Sequence, residues 1–159
     1  MNRRQDSEEI VIKEYPHSTR WLEGQQIIGV GNLILTSRRL VFLHRVELSD
    51  RRIQDIERIS KDGKTDRMID FALTLHTKNF QIPLASVVSA GVGLHSLLPL
   101  PRPCLRISYQ KKGEIKNASF TFTIPLLRGF FQFEILDVLL WVRKIRGAMK
   151  VGQDWHYGL

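Results

Sequence analysis

A mainly-β α+β fold is what this sequence predicts: about seven short antiparallel strands forming a sandwich or partly open barrel, capped by one C-terminal amphipathic helix. Three observations carry the expectation. From Gly24 onward the chain is dense in β-formers, set in short runs separated by turn residues. Ile115–Ile124 alternates, with Phe120, Phe122 and Ile124 on one face and Ser119, Thr121 and Thr123 on the other. After Pro125 the apolar period becomes helical, and Phe131, Ile135, Val138, Val142, Ile145 and Met149 make one stripe on a helix over 128–149.

Residues 1–23 mix charges with Tyr15-Pro16-His17-Ser18 and read as an N-terminal arm or short helix. Gly31–Thr36 and Arg39–His44 are the first strands, with only Ser37-Arg38 between them, as a tight hairpin requires. Leu40 and Phe42 then share one face, Val41 and Leu43 the other. The polar excursion 47–67 carries Ile53, Ile56 and Ile59 at helical spacing. Strands resume at Asp70–Thr77 and Phe80–Leu84, the latter held to an edge by Pro83, and Ser86–Val92 is a further apolar run. Pro99, Pro101 and Pro103 remove three amide donors and should break regular structure. Cys104–Gln110 and Ile115–Ile124 close the sheet. The expected organisation is an arm over 1–23, a domain over 24–149 and a tail over 150–159.

With 159 residues, 43% of them apolar and 25% charged, the chain has the make-up of one globular domain. A single cysteine, Cys104, forbids an internal disulfide and fits a reducing compartment. Neither a secretory leader nor an apolar span of bilayer length is visible, so the expected location is cytoplasmic, with peripheral membrane attachment open. Twenty-four Lys and Arg against sixteen Asp and Glu leave a net charge of +8, most of it carried by residues 25–125. Such a surface attracts anionic partners.

Catalytic patterns are missing, and no enzyme activity is expected. His17, His44, His76, His95 and His156 are scattered, with no pair at ligand spacing, so neither metal nor cofactor is expected. Cys104 has no activating neighbour in sequence. Gly63-Lys64-Thr65 lacks the first glycine of a phosphate loop, and Gly29-Val30-Gly31 and Gly91-Val92-Gly93 lack the third glycine of a dinucleotide site. Phe120 and Phe122 are needed by the core and are not free to stack on bases, so nucleic acid is not an expected partner.

Gly31-x-Leu33-x-Leu35-Thr36-x-Arg38-Arg39-Leu40-Val41-Phe42 is similar to the opening hairpin of GRAM and bacterial PH-like domains. Ile82-Pro83-Leu84-x-x-Val87-x-Ser89 resembles a second stretch of that family, and the closing helix with Trp141 also fits. The resemblance covers 24–149. It implies the pleckstrin-homology superfold and a non-catalytic module that binds membrane lipids or proteins. The chain departs from headgroup-binding PH domains in its two-residue hairpin loop and in having Leu40-Val41 after Arg39.

Two sets of candidate residues follow. Arg38, Arg39, Arg51, Arg52, Lys111 and Lys112 fall at predicted turns, where each base near an anionic membrane contributes about 1 kcal/mol. Phe133, Leu136 and Leu140 make a second apolar stripe opposite the main one on the C-terminal helix, a surface for a protein partner or a second copy. The first set predicts an adaptor at an anionic lipid or membrane surface. The second predicts an interaction or self-association module that binds no lipid.

Overall fold

The computed structural model describes residues 8–23, 26–45, 54, 55, 58, 61, 63–97, 100–122 and 131–154, without the side chains of 16–18, 96, 97, 100, 131–134 and 151–154. Ile53, Ile56 and Ile59 of the expected short helix lie outside these residues, as do Arg51 and Arg52. The elements are β1 (Val11–Glu23), β2 (Gln26–Thr36), β3 (Arg39–His44), α1 (Thr65–Thr74), β4 (Phe80–Pro83), β5 (Val87–Leu97), β6 (Leu100–Lys111), β7 (Glu114–Phe122) and α2 (Phe131–Asp154). A single 3₁₀ turn, Leu84–Ser86, joins β4 to β5. The fold is mainly β with a C-terminal helix, as the sequence predicts.

The seven described strands form one antiparallel sheet in the order β4-β3-β2-β1-β7-β6-β5. Its two edge strands, β4 and β5, are consecutive in the chain. In a flat sheet of this order they would stand about 29 Å apart, six strand spacings. The Leu84–Ser86 link can bridge only about 14 Å, so the sheet must curl until its edges approach at that corner. The aromatic core records the same curvature. Phe42 of β3 and Phe120 of β7 are three strands apart in the order, about 14 Å if flat, yet their ring centroids are 6.0 Å apart. Phe80 of β4 reaches Phe120 at 6.2 Å.

Inside the curl lie Leu33, Leu35, Leu40, Phe42, Ile82, Leu105, Ile107, Phe120 and Phe122, all essentially inaccessible. The open side is closed by α2, which inserts Val138, Trp141, Val142 and Ile145. Trp141 stacks on Phe122 at 5.6 Å and is the largest fully buried side chain among the described residues. Strand β3 is buried on both faces: Leu40 and Phe42 enter this core, while Val41 packs with Ile34 beneath Ile69 and Leu73 of α1.

Two elements differ from the sequence expectation. Residues 11–23 are a strand, and the most central one, rather than an arm or short helix. Their alternation is broken because the four steps from Tyr15 to Thr19 match only two on β2, from Leu33 to Gly31. Conversely, Asp70–Thr77 is not a strand. Residues 65–74 form α1, whose Ile69 and Leu73, one helical turn apart, cover the outer face of β2 and β3. Pro101 and Pro103 also lie within β6 instead of ending it. Over Leu100–Cys104 this strand pairs only with β5, so prolines two apart can both turn their missing amides to the unpaired side.

Candidate functional site

The β2–β3 hairpin has two loop residues and no positive φ at either, so it is not built on the usual hairpin turns. Its hydrogen bonds come from elsewhere. Thr36 Oγ1 accepts from the amides of Arg38 (3.2 Å) and Arg39 (3.0 Å) and donates to Glu9 Oε1 (2.5 Å). The Ser37 amide donates to Ile10 O and the Leu84 amide to Arg38 O, each at 2.9 Å.

Arg39 completes this node. Its Nε and Nη2 grip both oxygens of Glu9 at 2.9 and 2.8 Å. Its Nη1 donates to Asp70 Oδ1 and Gln81 Oε1, each at 2.6 Å, and Nη2 also points at Asp66 O. Burial alone would lower the Arg39 pKa. Hydrogen bonds and attraction from Glu9 and Asp70 outweigh it and hold the value above that of a free guanidinium. The five donors of Arg39 are thus directed at groups of its own chain, and Arg39 acts as a tether between β3, α1, β4 and the segment before β1. Nothing in the sequence spacing links Glu9 to Arg39, thirty residues on.

Arg38 is exposed beside Arg39, and Lys111 and Lys112 are exposed at the β6–β7 turn, where Lys112 and Gly113 both have positive φ. The two turns are not brought together. The β2–β3 hairpin adjoins Val11 at the start of β1, whereas β7 runs antiparallel to β1 and places Glu114 beyond its far end, past the Leu22–Ser119 pair. The described basic residues therefore stand at opposite ends of the sheet.

On α2 the second apolar stripe is open. Leu136, Leu139 and Leu140 are 55%, 47% and 46% exposed, while Val138, Trp141, Val142 and Ile145 on the opposite arc are buried. The backbone of Phe133 lies in the first turn of this helix, and its side chain is outside the described residues. One turn further along, Arg143 and Lys150 continue the exposed face, and a groove of about 380 Å³ is lined by Leu139, Val142, Arg143, Arg146, Gly147 and Lys150. Arg143, Arg146 and Lys150 were not singled out from the sequence. The signal for them was the absence of any acidic residue between Asp137 and Asp154.

His44 and His76 stack with centroids 4.3 Å apart and planes 9° from parallel. His44 Nδ1 lies 2.8 Å from Arg45 O, and the Lys78 amide donates to His76 Nδ1 at 3.0 Å. Desolvation first, then repulsion from His44 and Lys78, keeps the His76 pKa below its ordinary 6.5. A histidine whose native pKa is lowered binds fewer protons folded than unfolded. Its stabilising contribution is present above 6.5 and is lost as pH falls toward the native value. Melting temperature should therefore decline as pH falls below about 6.5, and His76→Asn should flatten that decline. Parallel curves for the two proteins would exclude His76 as its source.

Among the described residues, no group of three or more His, Cys, Asp or Glu side chains is placed to hold a metal ion. The Cys104 thiol is buried, and burial pushes its pKa up despite the nearby Arg106. Among the described residues, no helix is long and apolar enough to cross a membrane. No known family model matches the chain, and no curated protein matches it either.

Proposed function

We propose that the chain is a PH-like, non-catalytic binding module that docks a protein partner on the outer face of α2. The observation that carries this reading is the exposure of Leu136, Leu139 and Leu140 on a helix whose other arc buries Val138, Trp141, Val142 and Ile145. Burying three leucines at an interface contributes about 2 kcal/mol each before association costs. The bases that follow on the same face, together with the +8 charge, select an acidic partner over a second, equally basic copy.

The test is a titration of the intact chain and Leu136→Glu/Leu140→Glu with a helical peptide bearing leucine on one face and glutamate on the flanks. The intact chain should bind, and the variant should bind at least about tenfold more weakly. Equal binding by both proteins, or none by the intact chain, overturns the reading.

A second reading rests on the same face. Leucines beside Arg143 and Lys150 are also what a helix lying in a membrane interface needs. Co-sedimentation with phosphatidylserine vesicles that is abolished by salt, and is weakened by glutamate at Arg38, Lys111 and Lys112, would favour an anionic membrane surface over a protein.

A further inference from the structure

The stacked rings of His44 and His76 come from different elements: His44 ends β3, and His76 lies in the short link from α1 to β4. Their hydrogen bonds fix opposite tautomers. A carbonyl can only accept, so His44 Nδ1, 2.8 Å from Arg45 O, carries a proton and leaves Nε2 bare in the neutral ring. A backbone amide can only donate, so His76 Nδ1, which takes the Lys78 amide at 3.0 Å, is bare and the ring proton sits on Nε2. His44 can therefore take up a second proton and keep its bond. His76 can take one up only at Nδ1, and must then give up the Lys78 amide.

The link so held fastens the end of α1. Asn79 Nδ2 donates to Ala72 O at 2.8 Å, and Asn79 Oδ1 accepts from the His44 amide at 2.6 Å. The Asn79 amide donates to His76 O at 3.0 Å, and Lys78 Nζ to Ile28 O of β2 at 2.9 Å. Further back, α1 is held by Ile69 and Leu73 over Ile34 and Val41, and by the Arg39–Asp70 pair. Among the described residues that small cluster is separate from the main core, so this end of the helix can move while the sheet stays closed.

Charge decides which ring gives way. The neighbouring stretches 26–31 of β2, 80–83 of β4 and 71–75 at the end of α1 contain no titratable side chain. Arg45 follows His44, Lys78 lies two residues beyond His76, and Glu23 ends β1 opposite Gln26. Desolvation, then His44 and Lys78, both of them bases, holds the His76 pKa below its ordinary value. His44 is backed by β2, where a Cβ on Gly29 would lie 2.9 Å from its Cδ2. A second positive ring in the stack therefore displaces His76 and the link rather than His44.

We propose that the His44–His76 stack is an acid-operated latch: a proton on His76 Nδ1 breaks the bond to the Lys78 amide, frees the 75–79 link and lets the last turn of α1 lift from β3, uncovering Val41. The closed form binds fewer protons than the open one, so the latch holds above 6.5 and weakens as the pH falls below it. Arg39 and Asp70 remain the fixed end about which the helix turns. The latch is built on other elements than the leucine face of α2 and stands or falls independently of it.

The test is nuclear magnetic resonance on the intact chain at about pH 8 and about pH 5. Imidazole nitrogen shifts at the higher pH should place the proton on Nδ1 of His44 and on Nε2 of His76. At the lower pH the amides of His44 and of residues 73–79 should lose hydrogen-exchange protection, corrected for intrinsic rates, several-fold more than those of β5 to β7. His76→Asn can still accept the Lys78 amide through its side-chain oxygen and cannot be protonated, so it should keep this protection in acid. His44→Phe keeps a stacked ring and removes one charge, so it should diminish the loss without abolishing it. The opposite tautomers, an equal loss across the whole sheet, no loss in the intact chain, or the same loss in His76→Asn would each overturn the proposal. If His76→Asn is already unprotected at the higher pH, His44→Phe decides, and an undiminished loss there overturns it.

Discussion

Arg39→Ala is expected to lower unfolding stability by about 3 to 5 kcal/mol, the range found when one member of a buried ion pair is removed. Glu9 is only 2% exposed, and its carboxylate would keep the Thr36 hydroxyl but lose both guanidinium contacts. Asp70 is different: its side chain is 63% exposed, so its share of the pair is screened by water and small. The asymmetry predicts that Asp70→Ala costs less than about 1 kcal/mol. Arg39→Lys should fall between, since an ammonium cannot reproduce the two-pronged grip on Glu9. Replacing Glu9 and Arg39 together by leucine and methionine should recover much of the loss. Urea denaturation midpoints measure all of these. A loss below about 1 kcal/mol for Arg39→Ala would mean that the node contributes no more than a surface pair. It also follows that weaker vesicle binding by an Arg39 variant would report unfolding before it reported lost lipid contact.

Gly31→Ala is the second change with a large expected effect. A Cβ at Gly31 would overlap the carbonyl oxygen of Leu43 and lie 2.8 Å from its carbonyl carbon and 2.9 Å from His44 Cα. These are backbone atoms of the paired strand β3 and cannot rotate away. Gly31 also pairs with Thr19 of β1, so the strand is held on both sides. The expected loss is about 3 kcal/mol or more, at the upper end of overpacking costs. Gly147 of α2 is the control, because nothing lies within 4 Å of the position its Cβ would take. There the same substitution should stabilise by about 0.5 to 1 kcal/mol, as helical glycines replaced by alanine do. Thermal melts of both variants decide the matter, and a Gly31→Ala protein as stable as its parent would rule out the close approach.

Why Arg39 and Gly31 matter was only half legible in the sequence. Both fall in the run that resembles a GRAM hairpin, and β3 occupies the predicted Arg39–His44. The unbroken apolar run Leu40–Leu43 in β3 and the clean alternation in β7 mark strands locally, so those elements could be read. Alternation was not intact in β1, where Pro16 and the shift against β2 scramble the faces. Residues 70–74 read as strand because Phe71, Leu73 and Thr74 favour β structure locally, and only the packing of Ile69 and Leu73 on Ile34 and Val41 decides for helix. On α2 both apolar stripes were visible in the periodicity, and the exposure of Leu136 and Leu140 agrees with a stripe outside the core. The Glu9–Arg39 contact was invisible because the pairing of β1 with β2 creates it, and no local pattern encodes a register.

The position of β1 has a consequence for how the chain reaches its native state. Strands β1 to β3 pair through successive hairpins, β4 joins β3, and β5 to β7 form a second meander. Among the described residues, four ladder positions, Thr19–Leu22 against Ser119–Phe122, sew the two meanders into one sheet. Those residues are about a hundred apart in sequence, so their closure carries the largest loop entropy in the molecule and is favourable only after the local hairpins have formed. The seam brings Trp21 and Phe120 together, and Phe122 on the same strand stacks on Trp141. Sheet closure and docking of the C-terminal helix are thereby coupled.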